Sequence, residues 1–556
     1  MGVLNSTRSF VVYSDGISYL EIAEAYRKGL WHEAINCYWS PLYSWVIAAW
    51  TILTQPFGWS EFESLRTLNS TIFLASFAAF LFFTRELSLL LRCPNGFFYR
   101  TVTCLTFLWG SIGLIGVWRP LPDLLVTALI YTGAGLLLRL RRTGSLRLAA
   151  LLGAVLGCGY LAKTAVLGIA LLFLAGVGGR RRIPVAGCAL AAVAVPWIMA
   201  VSLSAHRFTI GDSGWINYAW EVGEVRRSTG WQGGPAGFGT PKHPPRLINT
   251  SPEVLEFASP VPGVYPLWRD PSHWYEGLQN KFGLAKQLRA AQKNGVYALV
   301  LLLGCPALLV ALPVMVGASR RRELFRRVWF LLIPCAAAVA MYVLVFLESR
   351  YIAGFLVVLG VSVFGVTLAN SDSRATKAIA VFIGAILLAL FTVIDLVADT
   401  RIRVDPTFRQ VMSARSRLAE ELREHGIGRG TQVGYIGLAI NAYSIRLCGA
   451  RIICEVPVLA LRNSDLPRTV LDGTREIDKF WRSSPARRAE ILAAMHGLGA
   501  EAVIADLVPE WAPTGGWIEL KTRVPKVYRD SRTYLYRFST PAPQPSPPHP
   551  HTHRAY

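Results

Sequence analysis

The stretch RPLPDLLVTALIYTGAGLLLRLRR (Arg119–Arg142) decides how this chain is built. It opens on two charged residues, Arg119 and Asp123. It then runs from Leu124 to Leu138 without a charge and closes on Arg139, Arg141 and Arg142. An apolar run of this kind suits a helix crossing a ~30 Å hydrocarbon layer, and the arginines at one end mark the side on which it stops.

The same pattern recurs on either side of it. Apolar runs at roughly 71–91, 98–117, 121–140, 147–162, 164–178, 183–203, 294–317, 326–346, 350–369 and 376–398 read as ten membrane spans. The pair around Lys163 is short for a full crossing. Basic clusters fall in alternate loops: Arg85, Arg92 and Arg100; Arg139 to Arg147; Arg180, Arg181 and Arg182; Arg320 to Arg327; Arg374 and Lys377. Such alternation places those loops in the cytoplasm and everything between them outside. Residues 1–14 are too short and polar to form a signal peptide, so the sidedness leaves two readings, unaided translocation of the N-terminal segment or a further helix upstream of residue 1, of which we favour the second. Composition agrees: 53% of residues are hydrophobic and only 17% charged, far from a soluble chain of this length. The formal charge of +22 sits between apolar runs rather than along one soluble face, which argues against nucleic acid as a partner.

The segments divide as follows. Residues 1–65 form an outer loop with amphipathic interfacial helices, 66–203 and 293–398 hold spans, 204–292 is an extracytoplasmic aromatic loop, 399–540 an extracytoplasmic α/β domain, and 541–556 a Pro/His tail. In DGISYLEIAEAYRKGLWHEAI (15–35), Tyr19, Ile22, Ala23, Tyr26 and Leu30 recur at helical spacing with charges opposite, as in a helix lying at the interface, and Asp15 stands at its N-cap position. WSPLYSWVIAAWTIL (39–53) carries aromatics that favour the interfacial belt. The 204–292 loop holds Trp215, Tyr218, Trp220, Trp231, Tyr265, Trp268, Trp274 and Tyr275. Their rings suit sugar faces or lipid head groups, or equally pack the loop onto the membrane surface. Past 399, the pattern predicts helices at 406–425, 438–446 and 485–497 and strands at 431–436, 451–456, 501–505, 517–521 and 533–538. There is no Gly-rich phosphate fingerprint. Cysteine spacing shows no metal site. Cys448 and Cys454 leave a disulfide and two free thiols equally open. No cofactor is called for, and a divalent metal has no support.

Charged groups at membrane depth are costly and point to function. Four sets lie on the predicted outer side: Asp15; Arg119 with Asp123; Lys163 in GYLAKTA; and Glu348, Arg350 and Tyr351 in LESRYIAGF. Carboxylates activate acceptors, and cations hold phosphate. Each set also has a structural reading, as helix cap, ion pair or snorkelling side chain.

The order Asp-Gly-x-x-Tyr, helix, Trp-x-Pro-Leu-Tyr at 15–43, with RPLPD (119–123), GYLAKT (159–164) and ESRYIAGFL (348–356), resembles GT-C-fold glycosyltransferases of the glycosyltransferase family 39 type, relatives of protein O-mannosyltransferases and aminoarabinose transferases. The resemblance implies a polytopic α-helical membrane protein with a C-terminal extracytoplasmic α/β domain. It implies transfer of a sugar from a polyprenyl-phosphate donor to an extracytoplasmic protein, lipid or glycan at the bacterial inner membrane. Asp15 would then be the catalytic base. Tyr19, Arg119, Asp123, Lys163, Glu348, Arg350 and Tyr351 would line the substrate site. Relatives carry a second acidic residue beside the first-loop aspartate, where this chain has Gly16; Glu21 or Asp123 would substitute. Alternatives are a flippase or transporter for lipid-linked sugars, and a non-catalytic envelope assembly protein.

Overall fold

The computed structural model describes residues 12–92, 96–225, 231–257, 262–315, 321–369, 407–458, 476–523 and 532–539. The chain forms two compact units. One comprises Met1–Val225 with Gln279–Asp405, and the other Arg226–Leu278 with Pro406–Tyr556.

The first unit is helical. Its elements are α1 (Ser14–Arg27), α2 (Pro41–Thr54), α3 (Glu61–Leu91), α4 (Phe97–Leu108), α5 (Asp123–Thr143), α6 (Leu146–Ala162), α7 (Val166–Ala175), α8 (Arg182–Ser204), α9 (Ser213–Glu221), α10 (Leu284–Leu303), α11 (Pro306–Met315), α12 (Arg321–Leu344) and α13 (Ser349–Ala369). Among the described residues six helices are long and apolar enough to cross a membrane: α3, α4 with its continuation to Ile115, α5, α8, α12 from Phe325, and α13. This is a multi-pass membrane protein.

Several spans differ from the sequence expectation. The first begins at Glu61, ten residues before 71, because Ser60 and Glu63 close a capping box: Glu63 N–H donates to Ser60 Oγ and Ser60 N–H to Glu63 Oε2 at 2.9 Å. The run 294–317 is not one helix. It breaks at Gly304–Cys305, where Pro306 starts a new helix without a backbone donor. α6 and α7 are 17 and 10 residues long, so neither alone spans like its neighbours. The run 376–398 lies outside the described residues.

α1 is not the one-sided interfacial helix the sequence suggests. Every residue from Gly16 to Ala23 is buried, Glu21 included, and the helix packs against α2. The alternation of polar and apolar positions misleads here because the neighbouring chain covers both faces.

Among its described residues the second unit holds one seven-stranded sheet of order β1-β2-β4-β3-β5-β7-β6, with β1 (Arg246–Thr250), β2 (Glu253–Glu256), β3 (Gln432–Gly437), β4 (Arg451–Pro457), β5 (Ala502–Ala505), β6 (Ile518–Glu519) and β7 (Tyr534–Arg537). The three central strands, β4, β3 and β5, are parallel; the flanking pairs are antiparallel. Helices α14 (Thr407–Glu424), α15 (Tyr443–Cys448), α16 (Glu476–Arg482) and α17 (Pro485–Gly497) accompany it. A parallel centre must be covered on its faces, and Phe480, Trp481, Ile491 and Met495 supply apolar cover to Ile436, Val456 and Val503. The hairpin β1–β2 comes from the segment read as an aromatic loop. That loop is therefore divided between the two units, and its hairpin extends the sheet of the domain past residue 399. Its rings are core residues: Trp220, Trp231, Tyr265, Trp268, Trp274 and Tyr275 are all buried. Stacking faces for sugars are thus not what these six provide. Cys448 and Cys454 are buried free thiols, which settles the two alternatives left open for them.

Candidate active site

Arg350 is the centre of a charged cluster in the helical unit. It stands in the first turn of α13, whose start is tied down by Ser349 Oγ donating to the Leu114 carbonyl at 3.0 Å. Its guanidinium reaches three carboxylates. Nη1 lies 3.4 Å from Asp123 Oδ2, Nη2 lies 3.4 Å from Asp15 Oδ2, and Nε contacts Glu348 Oε2. Nη2 also donates to the Tyr351 hydroxyl at 3.2 Å. A planar fork with five N–H donors is suited to gathering several anions at once.

Asp123 opens α5, where the helix N-terminus favours a negative charge. Its other oxygen accepts from Lys163 Nζ at 2.7 Å. Lys163 sits in the break between α6 and α7 and lies 3.5 Å from the centre of the Tyr351 ring, with the Tyr342 ring at 5.9 Å. An ammonium over an aromatic face gains from the ring quadrupole. The break is itself fixed: Thr164 N–H donates to Ser40 Oγ at 3.0 Å, which links the lysine turn to the Trp-x-Pro-Leu-Tyr motif.

Asp15 occupies the first turn of α1, with Tyr13, not Asp15, at the N-cap. Gly16 is required beside it. A Cβ there would stand 2.8 Å from Pro120 Cγ, so only glycine lets α1 seat against the Arg119–Pro122 turn. Gly354 serves the α13–α5 crossing in the same way, since its Cβ would meet the Thr127 side chain at 3.0 Å. The missing side chains bring Asp15, Asp123 and Arg350 within reach of one another.

Exposure separates the three carboxylates. The Asp123 side chain is 2% exposed, Asp15 26% and Glu348 34%. Asp123 is sealed between two cations and cannot meet a substrate, which leaves it a poor stand-in for the second acid of relatives. Glu21, the other candidate for that role, is buried in α1. Asp15 and Glu348 form the open side. Arg119 is exposed, and its carbonyl, not its side chain, is tied in, by Asn69 Nδ2 at 2.7 Å. Tyr19 is buried, edge-on to Trp39 at 5.1 Å and Tyr43 at 5.3 Å between ring centres. Among the described residues no group of three or more His, Cys, Asp or Glu is placed to hold a metal ion.

The structure thus brings Asp15, Asp123, Lys163, Glu348, Arg350 and Tyr351 together, with Arg119 and Tyr19 beside them. Sequence reasoning missed Asn69 and Tyr342. Asn69 is fully committed: it accepts from the Tyr43 hydroxyl at 3.0 Å and donates to the carbonyls of Val117 and Arg119. A polar amide inside an apolar span was the available signal. Tyr342 carried none.

Of the carboxylates buried elsewhere, two bear on this comparison. Glu86 of α3 is 2% exposed and meets Arg142 Nη2 at 2.9 Å, a charge contact rather than an aligned hydrogen bond. Arg142 closes α5, the helix that Asp123 opens, roughly 30 Å away along its axis. In the second unit Glu455 of β4 accepts from the Tyr265 hydroxyl at 2.7 Å. Burial pushes its pKa up to about 8, against the lowering effect of that hydrogen bond.

No protein-family model matches the chain, and no curated protein matches it in sequence. Solved structures do match. ArnT from Cupriavidus metallidurans in the apo state aligns over 96% of this chain and 95% of its own, with 13% identity and a TM-score of 0.50. The same protein bound to undecaprenyl phosphate aligns over 98% and 97%, with 14% identity and a TM-score of 0.49. At this identity the likeness is one of fold: the chain, a multi-pass membrane protein with a C-terminal α/β domain, is built like ArnT in its apo state.

Proposed function

We propose that this protein is a glycosyltransferase of the bacterial inner membrane that moves a sugar from a polyprenyl-phosphate donor to an extracytoplasmic acceptor. The observation that carries the reading is the convergence on Arg350 of residues 335 positions apart, with one carboxylate of the group sealed and another open. A structural ion pair needs one partner. An arginine shared by three carboxylates, two of them open, suits an exchange of anions.

The residues divide the work. Asp15 accepts the proton of an acceptor hydroxyl or amine as that atom attacks the anomeric carbon, and the bond from that carbon to the phosphate oxygen breaks. One base suffices for this single inverting displacement. Arg350, with exposed Arg119 beside it, holds the departing phosphate in forked contacts. Lys163 and Asp123 lock each other and the Tyr351 ring, which fixes the turn that carries Arg350. No nucleotide enters the reaction.

The test is product analysis in proteoliposomes supplied with lipid-linked sugars extracted from the producing cells. Transfer releases free polyprenyl phosphate in step with sugar gained by the acceptor fraction. Lipid that crosses the bilayer with its sugar still attached marks a flippase instead and ends this reading.

A further inference from the structure

Every nitrogen of the Arg350 guanidinium already faces an anion or a phenol: Nε faces Glu348, Nη1 Asp123, and Nη2 Asp15 and Tyr351. A phosphate reaching this group finds its donors engaged. Asp123 cannot give way, because it is 2% exposed and held by Lys163 at 2.7 Å. The partners free to leave are the two on the open side, Asp15 at 3.4 Å and Glu348.

We propose, resting on the functional reading above, that the donor phosphate takes Arg350 by displacing Asp15 and Glu348, and that this exchange is what releases Asp15 to act as base. In the empty site Asp15 is an ion-pair partner whose Oδ2 faces Arg350 Nη2 at 3.4 Å. When phosphate replaces it on Nη2, that oxygen is free to turn to the acceptor beside the anomeric carbon it must serve. The exchange swaps anions on one cation: the guanidinium contacts to Asp15 and Glu348 break and contacts to two phosphate oxygens form, with no covalent change. It imposes an order in which the donor binds first and the acceptor is activated second. It also protects the donor, since Asp15 is held on Arg350 until the lipid is seated.

The proposal gives a sign opposite to that of a carboxylate that merely positions Arg350. Polyprenyl phosphate, free of sugar, is titrated into the full-length protein in nanodiscs. Glu348→Gln and Asp15→Asn are each expected to bind it about fivefold tighter than the natural protein, the worth of one partly exposed ion pair. The same substitutions are then placed on Arg350→Ala, where the gain should vanish. A gain that persists without Arg350 means simple charge repulsion and overturns the proposal. So does weaker or unchanged binding in both single variants, while leaving the transferase reading in place. Absence of binding to the natural protein overturns both.

Discussion

The two ends of α5 answer the same problem differently. At its start Asp123 is buried with Lys163 and Arg350; near its end Arg142 meets buried Glu86. Both are carboxylates inside a helical bundle with cationic partners. At the Glu86 end the pair is two-membered, and Arg142 is one-third exposed and open to solvent. At the Asp123 end the cation is shared onward to Asp15 and Glu348, which face the open side. Burial and charge alone therefore do not mark a working site. What sets the Arg350 end apart is a cation with three carboxylate partners.

The largest break in this comparison comes from Arg350→Ala. It removes the shared cation, and sugar transfer should fall on the order of 10³-fold, as when a preorganised charge stabiliser is lost; release of polyprenyl phosphate measures it. Asp123→Asn should act on folding first. It leaves Lys163 and Arg350 without their sealed counter-ion, at about 3 kcal/mol, read as a lower thermal midpoint in detergent. Glu455 sharpens the contrast, because among the described residues its buried carboxyl is held by the Tyr265 phenol and by no cation. Its folded pKa, about 8, exceeds its unfolded value, so the folded state binds the proton more tightly. The stability it contributes is full below the unfolded carboxylate range and is lost as pH rises toward about 8. Glu455→Gln should abolish that decline, about 4 kcal/mol between pH 5 and pH 8.5, in chemical denaturation followed at the two pH values. Glu86→Gln should be the mildest. Arg142 can turn to water, so stability falls by about 1 kcal/mol and transfer stays within twofold of the natural protein.

Much of this was legible in the sequence, for physical reasons. Hydrocarbon thickness forces long apolar runs, so α5, α8 and α13 stand out in composition alone. The central strands of the α/β unit are short, mostly apolar runs set between helices, and β3, β4 and β5 fall within a residue or so of their expected places. The polar residues of the candidate site stood out because membrane depth makes them costly. What stayed hidden depended on tertiary neighbours. Nothing local tells that residues 246–256 join a sheet whose other strands begin at 432. Nothing local tells that α1 is covered on both faces, or that Gly16 is demanded by Pro120 a hundred residues away. The different fates of Asp15 and Asp123 were equally out of reach, because exposure is a property of the assembled bundle.

The central claim is that Asp15 is the reacting carboxylate and Asp123 its sealed counterpart. Single-turnover transfer by Asp15→Asn, in membranes matched for protein amount and thermal midpoint, tests it most directly. The account predicts a loss on the order of 10²–10⁴-fold in rate with folding intact, the scale of a missing general base. Turnover at the natural rate in that variant would contradict it.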